Sequence, residues 1–125
     1  MEIEKYSSKY CKVSYLKEKD AVLCEWLKKC SGKEYREPLK YGLELLKKFN
    51  ARTWITDTTN GFENESEDSE WLMKEFIPQT IASHCQRVVF IINDRSLLKE
   101  EINSQSKVLN QYFEVLQVEQ LQELK

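Results

Sequence analysis

Apolar positions along the chain switch between a spacing of two and a spacing near 3.6, and each switch marks an element. From Tyr10 to Lys17 the residues alternate, with Val13 and Tyr15 on one face and Lys12 and Ser14 on the other, as in a half-buried strand. After a polar break at Glu18-Lys19-Asp20, the run Ala21 to Leu27 alternates again and gathers Val22, Cys24 and Trp26 on one face. Two such runs joined by a short charged connector predict an antiparallel hairpin, across which Cys11 and Cys24 can face each other. Ser31-Gly32-Lys33-Glu34 has the capping-box spacing, in which the serine hydroxyl accepts from the third helical amide and the glutamate reaches back. From there Tyr35, Leu39, Leu43, Leu46 and Phe49 recur at helical spacing, and Pro38 either kinks this helix or marks its first turn.

The second half repeats the alternation of strand and helix. Thr53 to Asp57 is a short β-branched and aromatic run between turn formers, which predicts a buried strand. A polar loop through Asn60-Gly61 leads to a helix that Ser66 or Ser69 caps, carrying Trp71, Leu72, Phe76, Ile77 and Ile81, with Pro78 as a kink point. In Arg87 to Ile92 every residue from Val88 on is apolar, the pattern of a central parallel strand covered on both faces. Asn93 and Asp94 cap a third helix through Leu97, Leu98 and Ile102; Tyr112 to Leu116 forms a last strand, and Glu119 to Lys125 a short helix. The order β-β-α-β-α-β-α-β-α predicts an α/β domain: an N-terminal β-hairpin followed by a mostly parallel mixed sheet with helices packed on it.

Composition narrows what such a domain does. With 125 residues, 41% hydrophobic and 32% charged, the chain is too apolar for a disordered segment and sized for one core. Nineteen basic against 21 acidic residues give a net charge of -2, which offers nucleic acid no attraction. Three glycines without a phosphate-loop spacing supply no nucleotide cradle. The first residues, Met1 to Tyr6, lack the basic head and apolar stretch of a secretory leader, and no apolar run reaches membrane-helix length. The expectations are a cytoplasmic location, no membrane insertion and no cofactor. Cys11, Cys24, Cys30 and Cys85 are irregularly spaced beside a single histidine; they read as free thiols in the core rather than as metal ligands.

Polar chemistry collects where strands of an open α/β sheet end, the usual place for ligands. These ends carry Asp57-Thr58-Thr59-Asn60-Gly61 after the third expected strand and Asn93-Asp94-Arg95-Ser96 after the fourth. Between Thr53 and Met73 there is no lysine or arginine, while Asp57, Glu63, Glu65, Glu67, Asp68 and Glu70 contribute acids. Such a run is a solvated acidic helix start, a docking face for a basic partner, or a weak divalent-cation site. The adjacent His84 and Cys85 are the raw material of thiol catalysis, although neighbours in sequence usually point apart. Trp26, Trp54 and Trp71 read as core or interface aromatics.

The hairpin ending Glu25-Trp26, the runs Tyr35 to Leu39 and Leu45 to Lys48, Trp54-Ile55-Thr56-Asp57, Asp68-Ser69-Glu70-Trp71, Phe76-Ile77-Pro78 and Val88-Val89-Phe90-Ile91 resemble the STAS/SpoIIAA-like superfamily, in its small bacterial branch. The likeness spans about residues 10 to 120 and implies a single STAS-like domain over 1–125, related in fold to anti-sigma-factor antagonists. It implies a non-enzymatic regulatory or binding module. In antagonists a partner kinase phosphorylates a serine in an Asp-Ser-Ser-Gly-Leu signature at a helix start, and the added dianion breaks the complex. Asp68-Ser69 lies where that signature would fall and Asp57-Thr58 offers a second acceptor, so Ser69 and Thr58 are the candidate phospho-acceptors; Glu70 and Trp71 replace the small Ser-Gly pair. Some relatives are named for similarity to lipid-binding folds, which implies an apolar cavity under the helices. The candidate residues for a protein partner or a small apolar ligand are Asp57, Thr58, Asn60, Ser69 and Trp71, and an exposed strand edge leaves room for a homodimer.

Overall fold

The computed structural model describes residues 5–92 and 99–124. Its strands form one six-stranded mixed sheet in chain order: β1 (Lys5–Ser7), β2 (Cys11–Leu16), β3 (Ala21–Trp26), β4 (Thr53–Asp57), β5 (Arg87–Ile91) and β6 (Glu114–Val118). The first three are antiparallel neighbours, and β3 to β6 run parallel. α1 (Lys33–Phe49) connects β3 to β4. Between β4 and β5, α2 (Ser66–Trp71), a π-helical stretch (Leu72–Phe76) and α3 (Ile77–Ile81) follow one another without a break, and α4 (Lys99–Leu109) precedes β6. The alternating periods therefore give the α/β architecture they predict.

Parallel strands in sequential order, joined by right-handed crossovers, carry their helices on one face of the sheet. Burial follows that geometry. Val22, Cys24, Trp26, Trp54, Val88 and Phe90 point from the strands into a core shared with Leu39, Leu43 and Leu46 of α1, Phe76 and Ile102. Residues one step along the strands, Ala21, Leu23, Ile55, Val89 and Ile91, form a second cluster on the opposite face. No long helix covers that cluster among the described residues; Leu121 and Leu124 of the C-terminal segment pack there, and Lys19 Nζ donates to the Leu124 carbonyl at 2.7 Å. β5 is thus buried on both faces, as its unbroken apolar run implies.

Several boundaries differ from expectation. β1 was not legible: three residues with only Tyr6 half-buried give too short a pattern to read. α1 is capped by Gly32, not Ser31, and no side chain caps it. Gly32 has φ 59°, a conformation glycine adopts at no steric cost, and its N–H, the amide of the cap position, is taken by the Asp68 carboxylate from α2 and not by a glutamate of α1's own first turn. Pro38 lies inside α1, buried. Glu65 caps α2, so neither Ser66 nor Ser69 does; both are helical residues. At Pro78 the rod does not end. Ile77 N–H bonds to the Leu72 carbonyl five residues back, and this widened turn sits where a proline lacks the N–H that an α-helix would aim at residue 74. The last strand begins at Glu114 rather than Tyr112, which is 56% exposed, because the chain first turns through residues 110–113 after α4. The C-terminal helix is a single 3-10 turn, Leu121–Glu123. The proposed caps Asn93 and Asp94, with Leu97 and Leu98, lie outside the described residues; Ile102 is buried as expected.

Candidate functional site

Three neighbouring strands carry rings on the helix-covered face: Trp26 at the end of β3, Trp54 near the start of β4 and Phe90 toward the end of β5. Opposite them stand Tyr35 from α1, Phe62 from the loop after β4, and Phe76 at the end of the π-helical stretch. Trp26 stacks on Tyr35 at 5.1 Å and meets Phe62 edge-on at 5.5 Å, while Trp54 meets Phe76 edge-on at 5.1 Å. Rigid rings in edge and offset contact leave a cavity of about 110 Å³ between the sheet and the helices, whose apolar wall is completed by Leu72, Ile77 and Ile102. A surface groove of about 220 Å³ between the π-helical stretch and α4 shares Leu72, Ile77, Gln105 and Leu109 with the cavity. Met73 and Val108, both exposed, flank it. The cavity therefore lies directly behind an apolar seam between two helices.

Polar atoms in the wall are few and fixed. Asn64 Nδ2 donates to Tyr35 Oη at 3.0 Å, and Trp54 Nε1 donates to Thr56 Oγ1 at 2.8 Å. Thr58 Oγ1 donates to the Ile91 carbonyl at 2.7 Å, tying the loop after β4 to the end of β5. Burial pushes the Tyr35 phenol well above its ordinary pKa, with the Asn64 hydrogen bond acting in the opposite sense. No lysine, arginine or histidine lines the cavity among the described residues.

One ion pair sets the spacing of the helices above the cavity. The Asp68 side chain is 3% exposed and accepts from Gly32 N–H at 3.0 Å and from Arg36 Nε at 3.1 Å. A buried carboxylate is tolerated when it is paired and hydrogen-bonded. Arg36 also reaches the Glu67 carbonyl at 3.4 Å and lies 5.6 Å above the Trp71 ring. The starts of α1 and α2 are thereby pinned together. In the sequence Asp68 was one acid among several; nothing local distinguished it from Glu67 or Glu70, because its partner stands 32 residues away.

The residues singled out from the sequence fall in different surroundings. Asp57 is half-buried and closes a turn by accepting from Thr59 N–H at 2.9 Å. Thr58 is buried in the cavity wall, Asn60 is exposed, and Ser69 is half-buried in the first turn of α2. Trp71 is half-buried and stacks on Phe76 at 6.2 Å. Of the five, Thr58 alone lines the cavity. No hydrogen bond or ring contact joins Asp57 or Asn60 to Ser69 or Trp71 among the described residues. The loop Asn93 to Ser96 lies outside the described residues. Sequence reading missed Tyr35, Thr56, Phe62 and Asn64 as site residues. The available signal was the coincidence of an aromatic on the same face of three adjacent strands, together with the turn residues that return the chain over them.

The remaining chemistry is quiet. His84 is exposed whereas Cys85 is buried, its Sγ donating to the Arg87 carbonyl at 3.4 Å; burial pushes this thiol up to about 11. Cys30 is pushed up to about 12 by burial and by the nearby Cys11. Cys11 and Cys24 lie with their sulfurs 3.5 Å apart, both free and fully buried, as the expected hairpin places them. Among the described residues no three His, Cys, Asp or Glu side chains gather as a metal site, and no helix is long and apolar enough to cross a membrane. Compared with protein-family models, curated proteins and solved structures, the chain matches none.

Proposed function

We propose that this protein is a non-enzymatic, STAS-like binding module that takes a small apolar ligand into the cavity between β3–β5 and the helices. The observation that carries this reading is the ring-walled cavity of about 110 Å³ behind the apolar seam. An engineered cavity of about 150 Å³ lined by leucine, isoleucine and phenylalanine stays dry and binds benzene, so the space is in the range that accepts a ring or a short hydrocarbon piece. It reaches the carboxyl ends of the parallel strands at Trp26, Thr58 and Phe90, where ligands of open α/β sheets collect. The non-enzymatic reading is supported by Cys85, whose raised thiol pKa and inward hydrogen bond leave little nucleophile near neutral pH. Binding rather than phospho-acceptance at Thr58 is supported by its hydroxyl, which is buried and donates to a backbone carbonyl.

Titration with toluene, followed by methyl NMR, tests the reading. Shifts should concentrate on Leu72, Ile77, Val88 and Ile102, which line the cavity, and leave Leu43 and Leu45 of α1 unmoved. Shifts spread evenly over the surface, or none at saturating toluene, would refute it.

A further inference from the structure

The cavity of about 110 Å³ and the surface groove of about 220 Å³ lie back to back, and Leu72, Ile77, Gln105 and Leu109 line both. Leu72 and Ile77 are the two ends of the widened turn, whose bond runs from the Ile77 N–H to the Leu72 carbonyl. On an α-helix, residues five apart point about 140° away from one another. Here both reach the cavity and the groove alike, a placement the π-helical turn permits, and such turns gather at functional sites. Met73 and Val108 line the groove alone, and they are 47% and 41% exposed. Single exposed hydrophobics are ordinary; two on neighbouring helices, bordering one groove that backs onto a cavity, form a surface suited to an apolar chain.

The walls of the cavity differ in what holds them. On the sheet side β3, β4 and β5 are hydrogen-bonded neighbours. The starts of α1 and α2 are joined through Asp68, and Thr58 ties the loop after β4 to the Ile91 carbonyl. At the seam, Leu72 and Ile77 on one side and Leu109 on the other are hydrocarbon side chains, so parting those three breaks no side-chain hydrogen bond. The cavity by itself has room for about one ring. A longer guest extends out of it, and the seam is where the groove receives the rest. Resting on the reading above, we infer that the ligand is an elongated apolar molecule: a ring-sized end fills the cavity, and an alkyl chain passes between Leu72, Ile77 and Leu109 to lie along the groove beside Met73 and Val108.

Two alcohols that share a phenyl end, 3-phenyl-1-propanol and 5-phenyl-1-pentanol, test the inference beside toluene, each titrated into the full chain and followed by methyl NMR. The longer alcohol should bind at least about fourfold more tightly than the shorter, about twofold for each methylene laid in the groove, half the free energy of a fully buried one. It should also move the Met73 and Val108 methyl signals, which toluene leaves in place. In the Met73→Glu, Val108→Glu double variant, made with a good helix former at exposed positions, the ratio between the two alcohols should fall to about one. Dispersed methyl spectra verify that this variant folds, and the two measurements on the parent stand whether or not it does. Equal binding of the two alcohols, unmoved Met73 and Val108 methyls, or a ratio unchanged in the folded variant overturns the inference, while toluene bound in the cavity leaves the reading above intact. Failure of toluene and both alcohols to bind removes the cavity reading itself, and this inference with it.

Discussion

The layer of helices rests on the sheet in two different ways. Under α1 the packing is close: Leu46 is fully buried, and a Cβ added to Gly42 would lie 2.6 Å from Cζ3 of Trp54. Under the rod of α2, the π-helical stretch and α3, the same Trp54 ring contributes to the wall of a cavity. The difference follows from side-chain shape. Aliphatic residues at helical spacing interdigitate with strand side chains, and a glycine lets the large ring lie against the helix backbone. Six or more rings at the other end, held by edge and stacked contacts, are too stiff to collapse into the space between them. A sheet that supports both arrangements has one half that supplies stability and another that keeps room for a guest.

The strongest challenge to that division acts on the Asp68–Arg36 pair, because it joins the two regions. Asp68→Ala leaves the Gly32 N–H and the partly buried Arg36 guanidinium without their acceptor, and removing one partner of a buried pair costs about 3 kcal/mol. Urea unfolding should show that loss, and toluene shifts in the remaining folded protein should weaken as the start of α2 drifts from α1. A variant as stable as the parent would mean that the two regions are held together elsewhere. Gly42→Ala acts on the closely packed half alone. It forces the Trp54 ring or α1 to shift, an overpacking cost of about 2 kcal/mol, and because Trp54 also borders the cavity, the ring's displacement should change cavity binding. A loss of stability with binding unaltered would show the halves to be independent.

How much of this was legible depends on the distance over which each signal acts. The hairpin, α1, β4 and β5 follow from local alternation and helical spacing, and the registers Val13 with Cys24 and Trp54 with Val88 put the expected faces together. The cap of α1 was misread because a capping box is a local rule, and at Gly32 a carboxylate from residue 68 satisfied the amide in its place. The π-helical turn before Pro78 likewise depends on how the rod settles over the sheet. Of the five residues expected to meet a partner or a small ligand, Thr58 alone lines the cavity. Phe62, Tyr35 and Thr56 carry no local mark of a binding site, since a cavity is a property of what neighbouring side chains fail to fill. That failure is visible only once three strands and two helices are placed together.

The smallest expected effect is also the most selective. Val88 on β5 borders the cavity and is 6% exposed, so Val88→Ile extends the side chain by one carbon toward unfilled space. Elsewhere in a well-packed core that addition is destabilising; here it should stabilise by about 0.8 kcal/mol, the worth of one buried methylene, and raise the melting temperature slightly. The same carbon occupies room a guest needs, so toluene binding should weaken as stability rises. Opposite signs in the two measurements are what an empty binding space produces. If Val88→Ile were instead destabilising, the space beside β5 would already be filled as closely as the one under α1, and the contrast between the two halves would disappear.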